Sequence, residues 1–408
     1  MDLRMRVSDA SEYCHYPRKN NPMRILFLNY EYPPLGGGAA NATRYLLSEY
    51  AKRNNLEVDL VTTAADNRER VEEVSPSVRI HYISINKSPE RLTHQSMRDL
   101  LLYTYHGLRT ARQLQQKHRY DIIHAFFGVP CGWMARMIAG SLPYIVSLRG
   151  SDVPGFSDRY NRIYPLLRGI IRQVWKSAAA VVANSEQLRT LALATAPDQR
   201  IHLIPNGVDT TRFVPRTTPR DPDAPFTVLA AARLMRRKGI RYALDAFARL
   251  SDDFPDRPMR MIIAGGDGDA ADELRLQAAG LSCHDRITFT GHLNQDALID
   301  AYQQADVFVF PSLNEGMSNN MLEALACGVP VIITRTGGSE VVTNGEQGFI
   351  VDRADASAIR DALAILLEDE ERRERMGAAA RARAEEYSWK TVADAYEKLY
   401  YDVINHRV

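Results

Sequence analysis

Apolar residues recur along this chain in short unbroken runs, separated by longer stretches in which they return at helical spacing. Runs of the first kind read as buried strands and stretches of the second as amphipathic helices. In the N-terminal half the runs predict strands at 24–29, 57–63, 78–84, 121–125, 144–148 and 179–183, with helices between most of them, the first beginning near Ala39. In the C-terminal half they predict strands at 226–231, 259–264, 286–290, 307–310, 329–333 and 348–351. A helix starts near Ser318, and long helical stretches cover 354–386 and 389–405. Such alternation is the signature of a doubly wound parallel sheet. The expected fold class is therefore α/β, with two such sheet domains facing each other across a cleft, a favoured place for a ligand. Periodicity lapses after Leu203, where prolines gather, so a linker is expected there. The organisation read from the pattern is a polar tail at 1–22, a first domain at 23–205, a linker at 206–225, a second domain at 226–386, and a final helix at 387–408 that crosses back to the first domain.

Composition changes this picture little. With 408 residues, 45% apolar and 25% charged, the chain has the make-up of a soluble two-domain protein. It contains no run long enough for a membrane helix and begins without an apolar leader, so residence in the cytoplasm is expected. The four cysteines, Cys14, Cys131, Cys283 and Cys327, lack metal-site or disulfide spacing and read as reduced thiols. Charge adds more. Residues 1–215 hold 28 Lys and Arg against 19 Asp and Glu, and the remainder 23 against 31. A basic first half suits an anionic partner, such as a phosphorylated acceptor, an acidic lipid or the inner face of a membrane, or is ordinary solvated surface. The stretch 158–176 mixes five cations with apolar residues; Pro165 interrupts it and its apolar residues fall on more than one side, which favours packing on the sheet.

Candidate chemistry gathers where strands end, because in a parallel sheet the loop at a strand's carboxyl end lies beside the next helix N-terminus, where free N–H groups favour an anion. Gly36, Gly37 and Gly38 follow the first strand; they permit close approach of a ligand or make a tight turn, without the dinucleotide spacing. His124 ends one strand and is either a core histidine or a group facing the cleft. Arg149 and Asp152 follow another, and a paired guanidinium and carboxylate can bind phosphate and hydroxyl groups. Arg233 and Lys238, beside the helix opened by Gly239, suit a diphosphate. Gly265 and Gly266, and then Gly291, His292 and Leu293, occupy the next two strand ends. The last and most informative stretch, 310–331, carries Glu315 in a turn of Gly316, Met317 and Ser318, a helix starting with Asn319, Asn320 and Met321, and Glu323 inside that helix, placed to hold a hydroxyl pair.

Together these pieces resemble the retaining glycosyltransferases of the GT-B fold, family four. The resemblance rests on GGG at 36–38, Asn184 with Ser185, IPNGVD at 204–209, RLMRRKG at 233–239, GGDGD at 265–269, the paired Glu315 and Glu323, ACGVPVI at 326–332 and GGSEVV at 337–342, in that order. It implies a nucleoside diphosphate sugar donor, UDP- or GDP-linked, held by the second domain, and a glycan, lipid-linked or small-molecule acceptor held by the first. No separate cofactor and no nucleic acid are implied. Residue by residue, Arg233 and Lys238 would neutralise the diphosphate. Glu315 would bind the sugar, with the amides of Gly316, Met317 and Ser318; Asn319 and Asn320 would offer amides to the phosphates, and Glu323 would hold the ribose. Gly265, Gly266, Gly291, His292, Leu293, Asn206 and Met321 would complete the donor side, with Gly37 and Gly38 closing over it. His124 and Asn184 would belong to the acceptor side, and Arg149 with Asp152 would line the sugar. Many family members have histidine where this chain has Arg149, which favours a charge-binding role there. No paired aspartates occur where a divalent metal is expected, so metal independence is anticipated. A sugar-nucleotide epimerase and a non-catalytic nucleotide-sugar binder are the competing readings.

Overall fold

Twelve strands expected from the alternation are all present, and two more join them. The protein is seen here as a computed structural model, which describes residues 21–87, 95–156, 163–218, 220–221 and 223–406. Cys14, Arg159, Arg162 and nearly all of the predicted tail lie outside these residues. The strands of the first sheet are β1 (Met23–Leu28), β2 (Leu56–Thr63), β3 (Arg70–Ser75), β4 (Val78–Ile83), β5 (Ile122–Phe126), β6 (Tyr144–Ser147), β7 (Ala180–Ala183) and β8 (Ile201–Leu203), in the order β3-β4-β2-β1-β5-β6-β7-β8. The second sheet has β9 (Phe226–Ala231), β10 (Met259–Ala264), β11 (Ile287–Gly291), β12 (Val307–Phe310), β13 (Val331–Thr334) and β14 (Gly348–Val351), ordered β11-β10-β9-β12-β13-β14. The helices are α1 (Gly38–Tyr50), α2 (Met97–Lys117), α3 (Trp133–Ala139), α4 (Tyr164–Ser177), α5 (Glu186–Thr195), α6 (Ile240–Asp253), α7 (Ala271–Ala279), α8 (Gln295–Gln304), α9 (Asn319–Ala326), α10 (Ala356–Glu368), α11 (Glu370–Glu385) and α12 (Trp389–Ile404).

Strands such as β5, β7, β9 and β12 are buried at every position. That is why they read as continuous apolar runs: a parallel sheet covered on both faces has no polar side to show. The two additional strands escape the pattern for physical reasons. RVEEVS of β3 is exposed along nearly its whole length and pairs antiparallel at the sheet edge, and β8 is only three residues long. The doubly wound description holds with that one antiparallel edge. Pro165 also differs from expectation, standing in the first turn of α4, where its missing N–H costs nothing, rather than breaking a longer helix. The stretch 354–386 divides at Asp369, whose side chain accepts from the Arg372 amide and so begins α11.

Two compact units result. One runs to Val146 and adds Ser177–Ala179 and the chain from Glu397; the other comprises Ser147–Lys176 and Ala180–Tyr396. In the first unit His124 sits inside the sheet rather than at its edge. It is fully buried on β5, stacked on Phe27 at 4.5 Å, with Nδ1 2.7 Å from the hydroxyl of Tyr400 on α12. The reading of His124 as an acceptor-side residue is therefore corrected to that of a core histidine. Gly37 and Gly38 are also in this unit, Gly37 capping α1 with open space where a side chain would project. Cys131, Cys283 and Cys327 are free and buried.

In the second unit Asp306 ties β12 to β9. Its carboxylate accepts from the Thr227 amide at 2.7 Å, pairs with Arg220, and lies 3.5 Å from Arg373, with only 1% of the side chain exposed. Removing one partner of a buried ion pair strands the others. Asp306→Ala is expected to lower unfolding free energy by about 3–5 kcal/mol in urea titrations, and Asp306→Asn by less, since it keeps an oxygen for Thr227.

Candidate active site

The carboxyl ends of β9, β10 and β12 converge on one set of loops in the second unit. After β9 the chain makes a short turn at Arg236–Lys238 and enters α6 through Gly239, which adopts φ +66°. A side chain at Gly239 would stand 2.0 Å from the Pro311 carbonyl oxygen, so this loop and the one after β12 meet main chain to main chain. The contact brings Lys238 onto Glu315, with Arg237 Nη1 at 3.6 Å and Ser312 Oγ at 3.4 Å from the same Glu315 oxygen. Lys238 also lies 5.1 Å over the Phe310 ring. Burial pushes the Lys238 ammonium below its ordinary value, Glu315 opposes that, and Arg237 and Arg233 add to it. Arg233 is exposed, and its guanidinium has no hydrogen-bond or ion-pair partner among the described residues.

Beyond Glu315 the main chain stays open. The amides of Gly316, Met317, Ser318, Asn319 and Asn320 donate to no protein atom among the described residues. Ser318 is the N-cap of α9, accepting from the Met321 amide at 3.3 Å, and the Asn320 side chain donates to the Ala231 carbonyl at 2.7 Å, which pins the helix start to the end of β9. A row of free N–H groups ending at a helix N-terminus, beside Arg233 and Lys238, is a receptor for an anion. The turn is held from behind by Gly337, where any side-chain carbon would fall 2.0 Å from the Gly316 oxygen and 2.2 Å from that of Glu315.

One turn into α9 stands Glu323, half-buried, with the Tyr302 hydroxyl 3.2 Å from its Oε2 and 3.1 Å from the Asn320 carbonyl. Burial raises its carboxyl to about 7, and Tyr302 moderates the rise. On the neighbouring strand ends Gly265 donates to the Gly291 carbonyl at 2.8 Å, and Gly266 adjoins the exposed His292, with Leu293 next in the chain.

Arg149 and Asp152 are arranged otherwise than as the guanidinium–carboxylate pair the sequence suggested. Asp152 Oδ1 accepts from the amides of Arg149 and Gly150 at 2.9 and 3.0 Å, bracing the turn after β6. The Arg149 guanidinium donates to Asn206 Oδ1 and the Tyr396 hydroxyl, both at 3.0 Å, and Asn206 Nδ2 donates onward to Asn319 Oδ1 at 2.9 Å. The arginine thus reaches the start of α9 through Asn206. Asn184, at the end of β7, abuts Gly316.

The structure therefore gathers Glu315, Lys238, Arg233, Arg149, Asn206, Asn184 and the 316–323 segment in one unit, while Gly37, Gly38 and His124 belong to the other. Sequence reasoning missed Arg237, Ser312, Tyr302 and Tyr396. Arg237 was legible as the neighbour of Lys238; the tyrosines, far away in sequence and inside helices, gave no signal.

This fold and this arrangement of loops define a glycosyltransferase of the GT-B class. The model for Glycosyltransferase Family 4 matches residues 36–212, and that for Glycosyl transferases group 1 matches residues 216–383. The chain belongs to this family. It is 30% identical over 410 residues to the D-inositol 3-phosphate glycosyltransferase of Corynebacterium glutamicum, covering 94% of this chain and 97% of that protein. It is 25% identical over 390 residues to the N-acetyl-alpha-D-glucosaminyl L-malate synthase of Bacillus anthracis, covering 91% and 96%. Among solved structures it is similar to the sucrose-phosphate synthase of Thermosynechococcus elongatus, with a TM-score of 0.77, 23% identity, and 94% and 100% of the two chains covered. Anabaena HepE in complex with UDP and glucose gives 0.68, 19%, 92% and 99%. At these identities the structures speak to the fold alone, and the family assignment decides for transferase over epimerase.

The packing of Gly337 gives a direct check. Gly337→Ala is expected to displace the Glu315 turn by enough to cut transfer about 100-fold while the far-UV circular dichroism stays that of the native protein. Activity within a few-fold of wild type would show that the turn tolerates the shift.

Proposed function

We propose that this glycosyltransferase moves a sugar from a nucleoside diphosphate sugar to a hydroxyl of a small anionic acceptor, with retention at the anomeric carbon and without a metal. The observation that carries the donor assignment is the run of unoccupied amides from Gly316 to Asn320 beside Arg233 and Lys238. Two phosphates need what this segment offers, and a neutral ligand would not. In this reading the diphosphate lies on those amides and cations, the ribose hydroxyls donate to Glu323, and the sugar lies towards Glu315. Asn206, Met321 and the loops at Gly265–Gly266 and Gly291–Leu293 border the nucleotide.

During transfer the bond from the anomeric carbon to the diphosphate oxygen breaks, and its electron pair leaves with the diphosphate. Arg233, Lys238 and the amides stabilise the charge that grows there. The acceptor oxygen bonds to the anomeric carbon from the same face, and its proton passes to the departing phosphate oxygen. Glu315 orients the sugar and, paired with Lys238, holds that cation towards the leaving group.

The acceptor proposal draws on two facts. Relatives are named for inositol 3-phosphate and malate, both small, anionic and hydroxylated, and the first half of this chain is the basic one. Together they favour such an acceptor over the acidic lipid or membrane face that charge alone also allowed. No helix among the described residues is long and apolar enough to cross a membrane.

A thermal-shift panel of nucleoside diphosphates and their sugars tests the core of this reading, stabilisation by at least one being expected; stabilisation by none would defeat it. The division of labour is tested by substitution: Glu323→Ala should weaken diphosphate binding about 10- to 100-fold, whereas Glu315→Gln should chiefly lower kcat. Acidity gives an independent signature. With its carboxyl raised to about 7, the free protein binds more protons than the unfolded chain between the ordinary glutamate range and pH 7, so its stability falls as pH rises through that window. The ligand needs the carboxylate, so diphosphate affinity should move the other way, rising roughly tenfold from pH 6 to pH 8, and Glu323→Gln should flatten that rise in calorimetric titrations.

A further inference from the structure

Asn184 presents a problem that the reading above leaves open. It is 6% exposed, its amide makes no hydrogen bond to the protein among the described residues, and its Oδ1 is sealed from solvent. Buried amides are almost always satisfied, and an exception calls for an explanation. The surroundings supply one. A carbon added to Gly316 would stand 3.4 Å from Asn184 Oδ1 and 3.8 Å from Nδ2, so the whole amide faces the turn that follows Glu315. Nearby on α5, Gln187 repeats the pattern. Its Nε2 donates to Asn314 Oδ1 at 3.2 Å, while its Oε1 is buried without a partner. Asn314 in turn donates to the Phe156 carbonyl at 2.8 Å, which fixes the frame in which both amides sit.

We propose that Asn184, seconded by Gln187, reads hydroxyl groups of the transferred sugar and sets which sugar is accepted. Asn184 and Gln187 both stand against the 314–316 turn that carries Glu315, each with a side-chain oxygen that finds no partner in the protein. Neither a phosphate oxygen nor an apolar group can satisfy such an oxygen, whereas a sugar hydroxyl can donate to it once the side-chain amide turns to present it. A hydroxyl also accepts, so it satisfies either end of the Asn184 amide whichever way that amide is turned. The diphosphate and the sugar are thereby sorted along one segment, phosphates to the open amides and cations, hydroxyls to the oxygens. This moves Asn184 from the acceptor side, where the sequence put it, to the donor sugar. The inference rests on the donor reading above.

The test uses the full chain and the nucleotide sugar that stabilises it most in the thermal-shift panel. For Asn184→Ala and Gln187→Ala, three quantities are compared with wild type: the melting temperature, the Kd of the free nucleoside diphosphate, and kcat/KM for the preferred donor and its C4 epimer (UDP-glucose and UDP-galactose if the base is uracil). The expected result for Asn184→Ala is an unchanged or higher melting temperature, because an unsatisfied buried group has been removed, and a diphosphate Kd within about twofold of wild type. It also includes a 10- to 100-fold lower kcat/KM, by order of magnitude, and loss of most of the preference over the epimer, with Gln187→Ala showing a weaker form. A melting temperature that drops in step with activity would make Asn184 a structural residue and overturn the proposal. So would an equal loss of diphosphate affinity, or an intact epimer preference with only the acceptor KM raised. Failure of the donor reading is visible separately, in a wild-type protein that no nucleoside diphosphate stabilises.

Discussion

Lys238 and Glu315 depend on each other, and most of the site depends on the pair. Burial pushes the Lys238 ammonium below its ordinary value, and the Glu315 carboxylate that sits on it opposes that fall. A carboxylate next to a row of empty amides is kept from folding back onto them by the same contact. The two side chains come from loops after β9 and β12, strands that lie side by side in the sheet. The bond therefore staples together the two strand ends between which a ligand's charge would be received. Around it the main chain does the remaining work: Gly239 lets one loop touch the other, and Gly337 backs the turn from the far side.

This arrangement explains how much of the molecule could be read in advance. Strands buried on both faces announce themselves as apolar runs, and helix starts such as Ser318, Asn294 and Ser185 carry the side chains that cap them. So the fold, and the segments that line the site, were legible. What could not be read was direction. Arg149 and Asp152 are three residues apart and of opposite charge, yet the acid turns to the local main chain and the guanidinium to Asn206 and Tyr396, partners 57 and 247 residues away. His124 ends an apolar run, but which face it takes depends on Phe27 and Tyr400, and neither is near in sequence. Long-range partners decide such matters, and periodicity holds no record of them.

The position of Arg149 shows why a departure from a family pattern need not mean a departure in chemistry. Its guanidinium is engaged with the hydroxyl of Tyr396, which Ser147 also meets at 3.0 Å, and with Asn206, which leads to Asn319 at the head of α9. A cation in this setting can steady the helix start without touching what binds there. Sequence position alone would have counted it among the groups in contact with ligand.

The turn from Glu315 to Ser318 owes its shape to carbonyl oxygens and glycine packing rather than to the side chains it displays. An anion receptor written in main-chain atoms depends less on the side chains along its length than one built from side chains. Side chains that only border it, such as Gln187 on α5, can vary without dismantling the anchor, whereas Ser318, Asn319 and Asn320 hold the helix start in place. That separation leaves the fold evolvable: a lineage can change the bordering side chains while the main-chain amides stay where they are, and a protein engineer has the same freedom.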